Sequence, residues 1–306
     1  MSEVSIIGGI TADIEGNPYQ QLIMGDSNPG KIVMSYGGVG RNIAENLGRL
    51  GAFVRFVSVA GDDFAGRGAV RELEHLGVNV ENVSLLREEN TAVYMSILNL
   101  MGDMELALCN MDVLERISVT FIDAAYEGIK NSKIVGIDTN LTEETLEYAT
   151  GKLKEIPIFL DPVSVTKAER AKKIIGRFHT IKPNRMEAEI LSGMTIMSEE
   201  ELEKAGQWFI EQGVKRVFIT LGPGGVFYQD EGRSGMIRSN PVEIVSATGA
   251  GDAFSAAILY SHLKGFDIEK TAKVGMAAAA IAMGSKTAVN SHMSGETLQQ
   301  VLGTDL

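Results

Sequence analysis

A second cysteine is missing from this chain. Cys109 is the only one in 306 residues, so no intrachain disulfide can form and no cysteine-cluster metal site can be built. The lone thiol reads as a buried or partly buried structural group, which suits a reducing cytoplasmic location. The four histidines, His75, His179, His262 and His292, are scattered without metal-ligand spacing and read as structural or surface groups. Basic runs are also missing. With 28 Lys and Arg against 40 Asp and Glu the net charge is −12, which argues against a nucleic-acid polymer as partner but leaves open a small anion held by backbone amides. No apolar run reaches membrane-spanning length, the Ala277 to Met283 segment being too short, and the start Met1-Ser2-Glu3-Val4 has no basic leader. A soluble chain with no membrane partner is expected. Its 44% hydrophobic content can fill the core of one large α/β domain or two smaller ones.

What is present is a βα alternation with two interruptions. Val4 to Gly9 reads as a buried first strand whose end presents Asp13, either a holder of a substrate hydroxyl or a turn residue. Residues 14 to 36, with Asn17-Pro18 and Asp26-Ser27-Asn28-Pro29-Gly30, predict turns and short strands. Thr91 to Leu98 and Glu105 to Cys109 predict a hairpin. These two β pieces, about 14–36 and 91–110, could form a small sheet that closes over a site as a lid. Gly37-Gly38-Val39-Gly40-Arg41-Asn42 opens a helix stopped by Gly51. It fails the dinucleotide spacing, because Ile43 stands where the third glycine belongs. It is either a close approach to a ligand, with Asn42 as donor and acceptor, or a tight strand-to-helix turn. From Ile129 onward the alternation is regular. Strands are expected at 133–137, 157–160, 180–181 and 214–220, and a Lys/Arg-rich helix at 166–177. Asn184 caps a helix with Glu187 three residues on; that capping box competes with a phosphate or metal role. Edge strands are expected within Arg233 to Val245, and two helices, about 254–264 and 268–284, are expected to close the chain.

Ser246-Ala247-Thr248-Gly249-Ala250-Gly251-Asp252-Ala253-Phe254 is the stretch best suited to chemistry. A glycine-rich turn at a helix start offers unpaired amides to an anion, and Asp252 could take a proton from an attacking hydroxyl. Equally, Asp252 could be a helix cap.

In order, Gly37 to Asn42, Asn184-Arg185-Met186-Glu187, Thr220-Leu221-Gly222 and Thr248 to Asp252 resemble the motifs of the ribokinase-like (PfkB-type) carbohydrate and nucleoside kinases, over essentially the whole chain. The resemblance implies one α/β domain over residues 1–306, a three-layer sandwich with a mostly parallel central sheet between helices and a small β lid. It also implies ATP-dependent phosphorylation of a hydroxymethyl group. Asp252 is then the base, with the Gly249, Ala250 and Gly251 amides as the anion hole. Asp13, Gly37, Gly38 and Asn42 hold the acceptor; Asn184, Thr220, Gly222, Gly225 and Asn290 line the ATP side; and Glu187 acts on Mg²⁺ through water. Ser246-Ala247 replaces the family's Asp-Thr, which puts the monovalent-cation site of some members in question. Within the family the pattern resembles the pseudouridine kinases most, through Asp26, Asn28 and Lys31 in the lid region, Asp161-Pro162-Val163-Ser164 and His179 to Arg185. That implies phosphorylation of a ribonucleoside 5′-hydroxyl. The alternatives are a ribokinase, fructokinase or purine-nucleoside kinase, or a non-catalytic sugar or nucleoside sensor. A nicotinamide-dependent oxidoreductase is disfavoured by the failed fingerprint. A homodimer through the lid is a further implication.

Overall fold

The computed structural model describes residues 3–239 and 244–303. The chain opens with β1 (Val4–Ile7), β2 (Thr11–Pro18), β3 (Gly30–Gly37), α1 (Val39–Arg49), β4 (Val54–Gly61), α2 (Phe64–His75) and β5 (Asn79–Leu86). It continues with β6 (Ala92–Leu98), β7 (Met104–Asn110), α3 (Val119–Ile129), β8 (Ile134–Asp138), α4 (Glu143–Lys152), β9 (Ile158–Asp161) and α5 (Val165–Ala168). Then follow β10 (Thr180–Ile181), α6 (Arg185–Ser192), α7 (Glu199–Glu211), β11 (Arg216–Thr220), β12 (Val226–Asp230), β13 (Ser234–Ile237), α8 (Ala250–Lys264), α9 (Ile268–Met283) and α10 (Gly295–Leu302).

Nine strands form the large sheet in the order β13-β12-β11-β10-β9-β8-β1-β4-β5. Pairing is parallel from β5 to β11, while β12 and β13 are antiparallel. Strands such as Val-Ser-Ile-Ile of β1 are buried throughout, as a parallel strand covered on both faces must be. One apolar cluster packs α1, α2, α8 and α9 onto one face, and a second packs α3, α4, α6 and α7 onto the other. From β1 the chain builds outward in both directions, to β4 and β5 on one side and to β8 through β11 on the other. The reversal leaves a crevice at the carboxyl ends of β1 and β8, where open α/β sheets place ligands.

A second sheet, β3-β2-β6-β7, uses both expected interruptions. Asp13 belongs to it. It does not end β1; it pairs with Ser35 and Tyr94 inside β2, because the chain breaks at Gly8-Gly9 and leaves the first sheet. Cys109 is exposed, contrary to the buried thiol expected, since β7 is an edge strand with no helix over it. The basic segment forms only the single turn of α5 followed by a 3₁₀ stretch, Glu169–Arg177. The edge hairpin comes earlier than expected, at β12 and β13, and residues 240–243 of that expectation lie outside the described residues. Strand β5 and helices α3 and α10 were not anticipated. Among the described residues no helix is long and apolar enough to cross a membrane.

Candidate active site

Helix starts locate the site. Helices α2 through α7, α9 and α10 each begin at a Ser, Thr, Asp or Asn whose side chain accepts an amide of the first turn. Helices α1 and α8 begin instead at Gly38 and Gly249, with no side-chain cap. In α1 the Gly40 amide is instead taken by Asp138 and the Arg41 amide by the Gly9 carbonyl, whereas the first turn of α8 has no capping side chain and leaves amides for another partner. Gly249 has φ 80°, and a Cβ there would collide with the Ala288 carbonyl, so only glycine makes this turn without strain. Asp252 lies in the first turn of α8 and is not its cap.

The two helices that begin at glycine meet through one hydrogen bond. Asn42 Nδ2 of α1 donates to Asp252 Oδ2 at 2.8 Å. Burial, reinforced by the Asp161 carboxylate, pushes Asp252 up to about 7, against the lowering effects of Asn42 and Lys182. A carboxyl poised near neutrality can take a proton and release it again.

Around it stand residues from neighbouring strand ends. Asp161 closes β9 and pairs in register with Asp138, which closes β8. Both are buried. Asp161 accepts from Ser255 Oγ at 2.6 Å and faces the Lys182 ammonium at 3.1 Å. Lys182 follows β10, is 6% exposed, and lies 3.3 Å from where a Gly251 Cβ would be. Burial alone would lower it, but Asp161, Glu187 and Asp252 together outweigh that and hold it above the ordinary lysine value. Glu187 completes a capping box: its Oε2 accepts from the Asn184 amide at 2.8 Å and its Oε1 from Asn184 Nδ2 at 2.9 Å. Burial, then Asp161, raises its pKa above the ordinary carboxylate value. Asp138 anchors the crevice, accepting from the amides of Gly9 at 3.0 Å, Gly40 at 2.9 Å and Asn140 at 2.8 Å.

Asp13 lies directly over Gly37, where any side chain would occupy its carboxylate's place. Thr11 Oγ1 donates to it at 2.7 Å, and burial raises it despite Thr11 and Arg41. Asp26, Asn28 and Lys31 are exposed at the far end of the small sheet. Asn28 is engaged there in closing its own loop, through the backbone of Ile23 and Asp26. The structure brings Gly37, Gly38, Asn42, Asp13 and the α8 turn together around the crevice and does not bring those three loop residues to it.

On the other side, Thr220, Gly222, Gly225, Ala250, Gly251, Ala277 and Ala280 line a cavity of about 1210 Å³, large enough for a nucleotide. Asn184 bridges to Thr220 at its edge. Asn290 does not line it; its amide donates to the Ile281 carbonyl at 2.6 Å and so finishes α9. The start of α8 thus borders both a nucleotide-sized cavity, through Ala250 and Gly251, and the crevice, through Asp252 and Asn42, an arrangement suited to direct transfer of an anionic group. Asp138, Asp161 and Lys182 were not singled out from the sequence as site residues. Each lies at the carboxyl end of a strand, and that position was the available signal.

Residues 1–294 match the profile of the pfkB family carbohydrate kinases. The pseudouridine kinase of Escherichia coli (strain K12) is 33% identical over 292 residues, 95% of this chain and 93% of that protein. The guanosine-inosine kinase of Exiguobacterium acetylicum is 28% identical over 284 residues, 92% of this chain and 94% of that protein. The crystal structure of a ribokinase from Thermotoga maritima superposes with a TM-score of 0.87 at 22% identity, covering 99% of this chain and 100% of that one, and shows the same fold.

Proposed function

The chain belongs to the pfkB family and is an ATP-dependent carbohydrate or nucleoside kinase, and from that premise we propose that its acceptor is a ribonucleoside, pseudouridine, phosphorylated on its 5′-hydroxyl. The reading of the chemistry is carried by one juxtaposition, Asp252 bonded to Asn42 at the uncapped start of α8. The choice of acceptor is supported by the 33% identity to a pseudouridine kinase along nearly the whole of both chains.

Asp252 takes the proton of the acceptor hydroxyl as its oxygen forms a bond to the γ-phosphorus. The bond from that phosphorus to the β–γ bridging oxygen breaks, and ADP leaves with the electron pair. The Gly249, Ala250 and Gly251 amides receive the charge on the transferring group. Asp13, Gly37, Gly38 and Asn42 hold the ribose, and Thr220, Gly222 and Gly225 border ATP. Among the described residues no three side chains form a metal cluster, and both Glu187 oxygens are engaged by Asn184. Such a donor set fits a divalent ion that arrives on the ATP phosphates and meets Glu187 through water. Bound in that way, Mg²⁺ neutralises phosphate charge. The small sheet serves as the lid, and its closure would carry Asp26, Asn28 and Lys31 towards the acceptor. Ile32, Met34, Leu106 and Leu108 share its outer face by register and are exposed, which supports a homodimer through the lid.

The test is a steady-state panel with ATP against pseudouridine, uridine, inosine, guanosine, ribose and fructose. The highest kcat/KM is expected for pseudouridine; a higher value for ribose overturns the assignment.

A further inference from the structure

One half-buried cation beside the acceptor crevice has no part in the chemistry above. Lys167 follows an unusual turn. Val163 has φ 63°, a left-handed conformation that β-branched residues rarely adopt. Its amide donates to Asp161 Oδ1 at 3.0 Å, and Ser164 caps the turn that carries Lys167. The Lys167 ammonium donates to Asn140 Oδ1 at 2.6 Å. Among the described residues it forms no ion pair. Arg170 stands behind it, its Nη1 fixed by the carbonyls of Thr139, Asn140 and Leu141 at 3.1, 3.2 and 2.9 Å. Burial and Arg170 both push Lys167 below the ordinary lysine value, against Asp138 and Cys109. A cation held at such cost beside a second cation marks a place for an oxygen-bearing ligand.

Its location says which part of the acceptor that is. Asn42 bonds Asp252; Gly40, on the same helix turn, bonds Asp138; Asp138 bonds the Asn140 amide; and Asn140 holds Lys167. The Asn140 side-chain nitrogen lies 3.1 Å from where a Gly9 Cβ would be, so Asn140 lies across the end of β1. Above this end is the small-sheet face that carries Asp13, Tyr94 and Cys109 by register, and Cys109 is close enough to act on Lys167. The reacting hydroxyl belongs at Asp252 and the ribose between Asn42 and Asp13. Lys167 and Asn140 stand at the far end of this chain of hydrogen bonds from Asp252. With its oxygen already bound to Lys167, Asn140 offers only N–H donors there, and so does the ammonium.

We propose that Lys167, oriented by Asn140, determines acceptor specificity by donating a hydrogen bond to a carbonyl oxygen of the nucleoside base. This rests on the nucleoside reading above. The test uses Lys167→Met, with Lys167→Gln as a variant that keeps a donor. Kinetics with pseudouridine, uridine and ribose are combined with calorimetric binding of pseudouridine and of a non-hydrolysable ATP analogue. Lys167→Met is expected to weaken pseudouridine and uridine, in KM and in Kd, by about 10- to 100-fold, the range of a hydrogen bond to a charged group. The kcat, ribose kinetics and ATP-analogue affinity are expected to stay within about threefold, the last showing that the variant is folded, and Lys167→Gln is expected to recover part of the loss. Equal losses for ribose and nucleosides, or an unchanged pseudouridine Kd, overturn the proposal while leaving the nucleoside reading in place. A wild-type enzyme that binds no nucleoside overturns both.

Discussion

Replacing Asn42 by Leu should move the acid limb of the pH–rate profile. Asp252 works as a base only when ionised, so kcat/KM should rise as pH increases through its pKa, about 7 in the folded protein. Burial and Asp161 set that value, and the 2.8 Å hydrogen bond from Asn42 Nδ2 opposes them by favouring the ionised form. A hydrogen bond to a charged group is worth about 1.5–3 kcal/mol, and one pH unit corresponds to about 1.4 kcal/mol. Deleting the donor should therefore displace the limb upward by about one to two pH units. At pH 7 the ionised fraction would fall from about one half to about one tenth or less, and activity would return in alkaline buffer. Because Asn42 also faces the acceptor, the variant loses binding at every pH; that lowers the whole profile without moving it. The informative quantity is thus the position of the limb, measured as kcat/KM from about pH 5 to about pH 10 in wild type and variant. Coincident limbs, or a wild-type limb in the ordinary carboxylate range, would refute the assignment of Asp252 as a buried base tuned by Asn42.

Other perturbations follow from the same geometry. Asp252→Asn should lower kcat by about 10²- to 10⁴-fold while ATP-analogue affinity is retained; undiminished turnover would remove Asp252 from the chemistry. Gly249→Ala places a Cβ against the Ala288 carbonyl at a left-handed position, so kcat should fall about 100-fold or more and Tm by a few degrees, both measurable on the purified variant. Asn184→Ala removes the cap of α6 and one partner of Glu187; about 1 kcal/mol of stability should be lost in urea titration, together with a higher KM for ATP. His179 is lowered to about 4, first by burial and then by His262, Arg216 and Lys215. Because its folded value lies below the unfolded one, stability is full above about pH 6.5 and declines as pH falls towards 4. The loss should be no more than about 2 kcal/mol once solvent screening is allowed, and His179→Phe should flatten that part of the stability curve.

Local features of this fold were readable in the sequence, and those created by strand order were not. The glycine-rich start of α8 and the Asn184–Glu187 capping box each lie within one turn of chain, so their residues are neighbours by spacing alone. The alternation of 91–109 likewise fixed the hairpin, but not which of its residues would lack cover; that depends on the absence of a helix over β7, which left Cys109 exposed. Asp13 was misplaced because Gly8-Gly9 extends the apolar pattern of β1 while the backbone is already leaving the large sheet for the small one. Asp138, Asp161 and Lys182 are separated by 23 and 21 residues in sequence, and only the order β10-β9-β8 sets them side by side. No periodicity marks such a cluster; knowing that ligands gather at the carboxyl ends of parallel strands would have.

That same strand order brings the proposed acceptor and donor sites together. Every other α-helix of the described fold satisfies its first turn with its own side chain, so a bare start is not a general habit of this sequence. The two exceptions are the helices joined by Asn42 and Asp252, of which α1 is served from across the crevice by Asp138 and α8 by no capping side chain, and three ionisable groups, Asp138, Asp161 and Lys182, are buried at the strand ends beside them. Unpaired amides and buried charges each oppose folding when left alone. Their concentration at one end of one sheet means that the stability given up there would be recovered when an anion and a hydroxyl bind, and it is this coincidence, more than any single motif, on which we propose the crevice as the phosphoryl-transfer site.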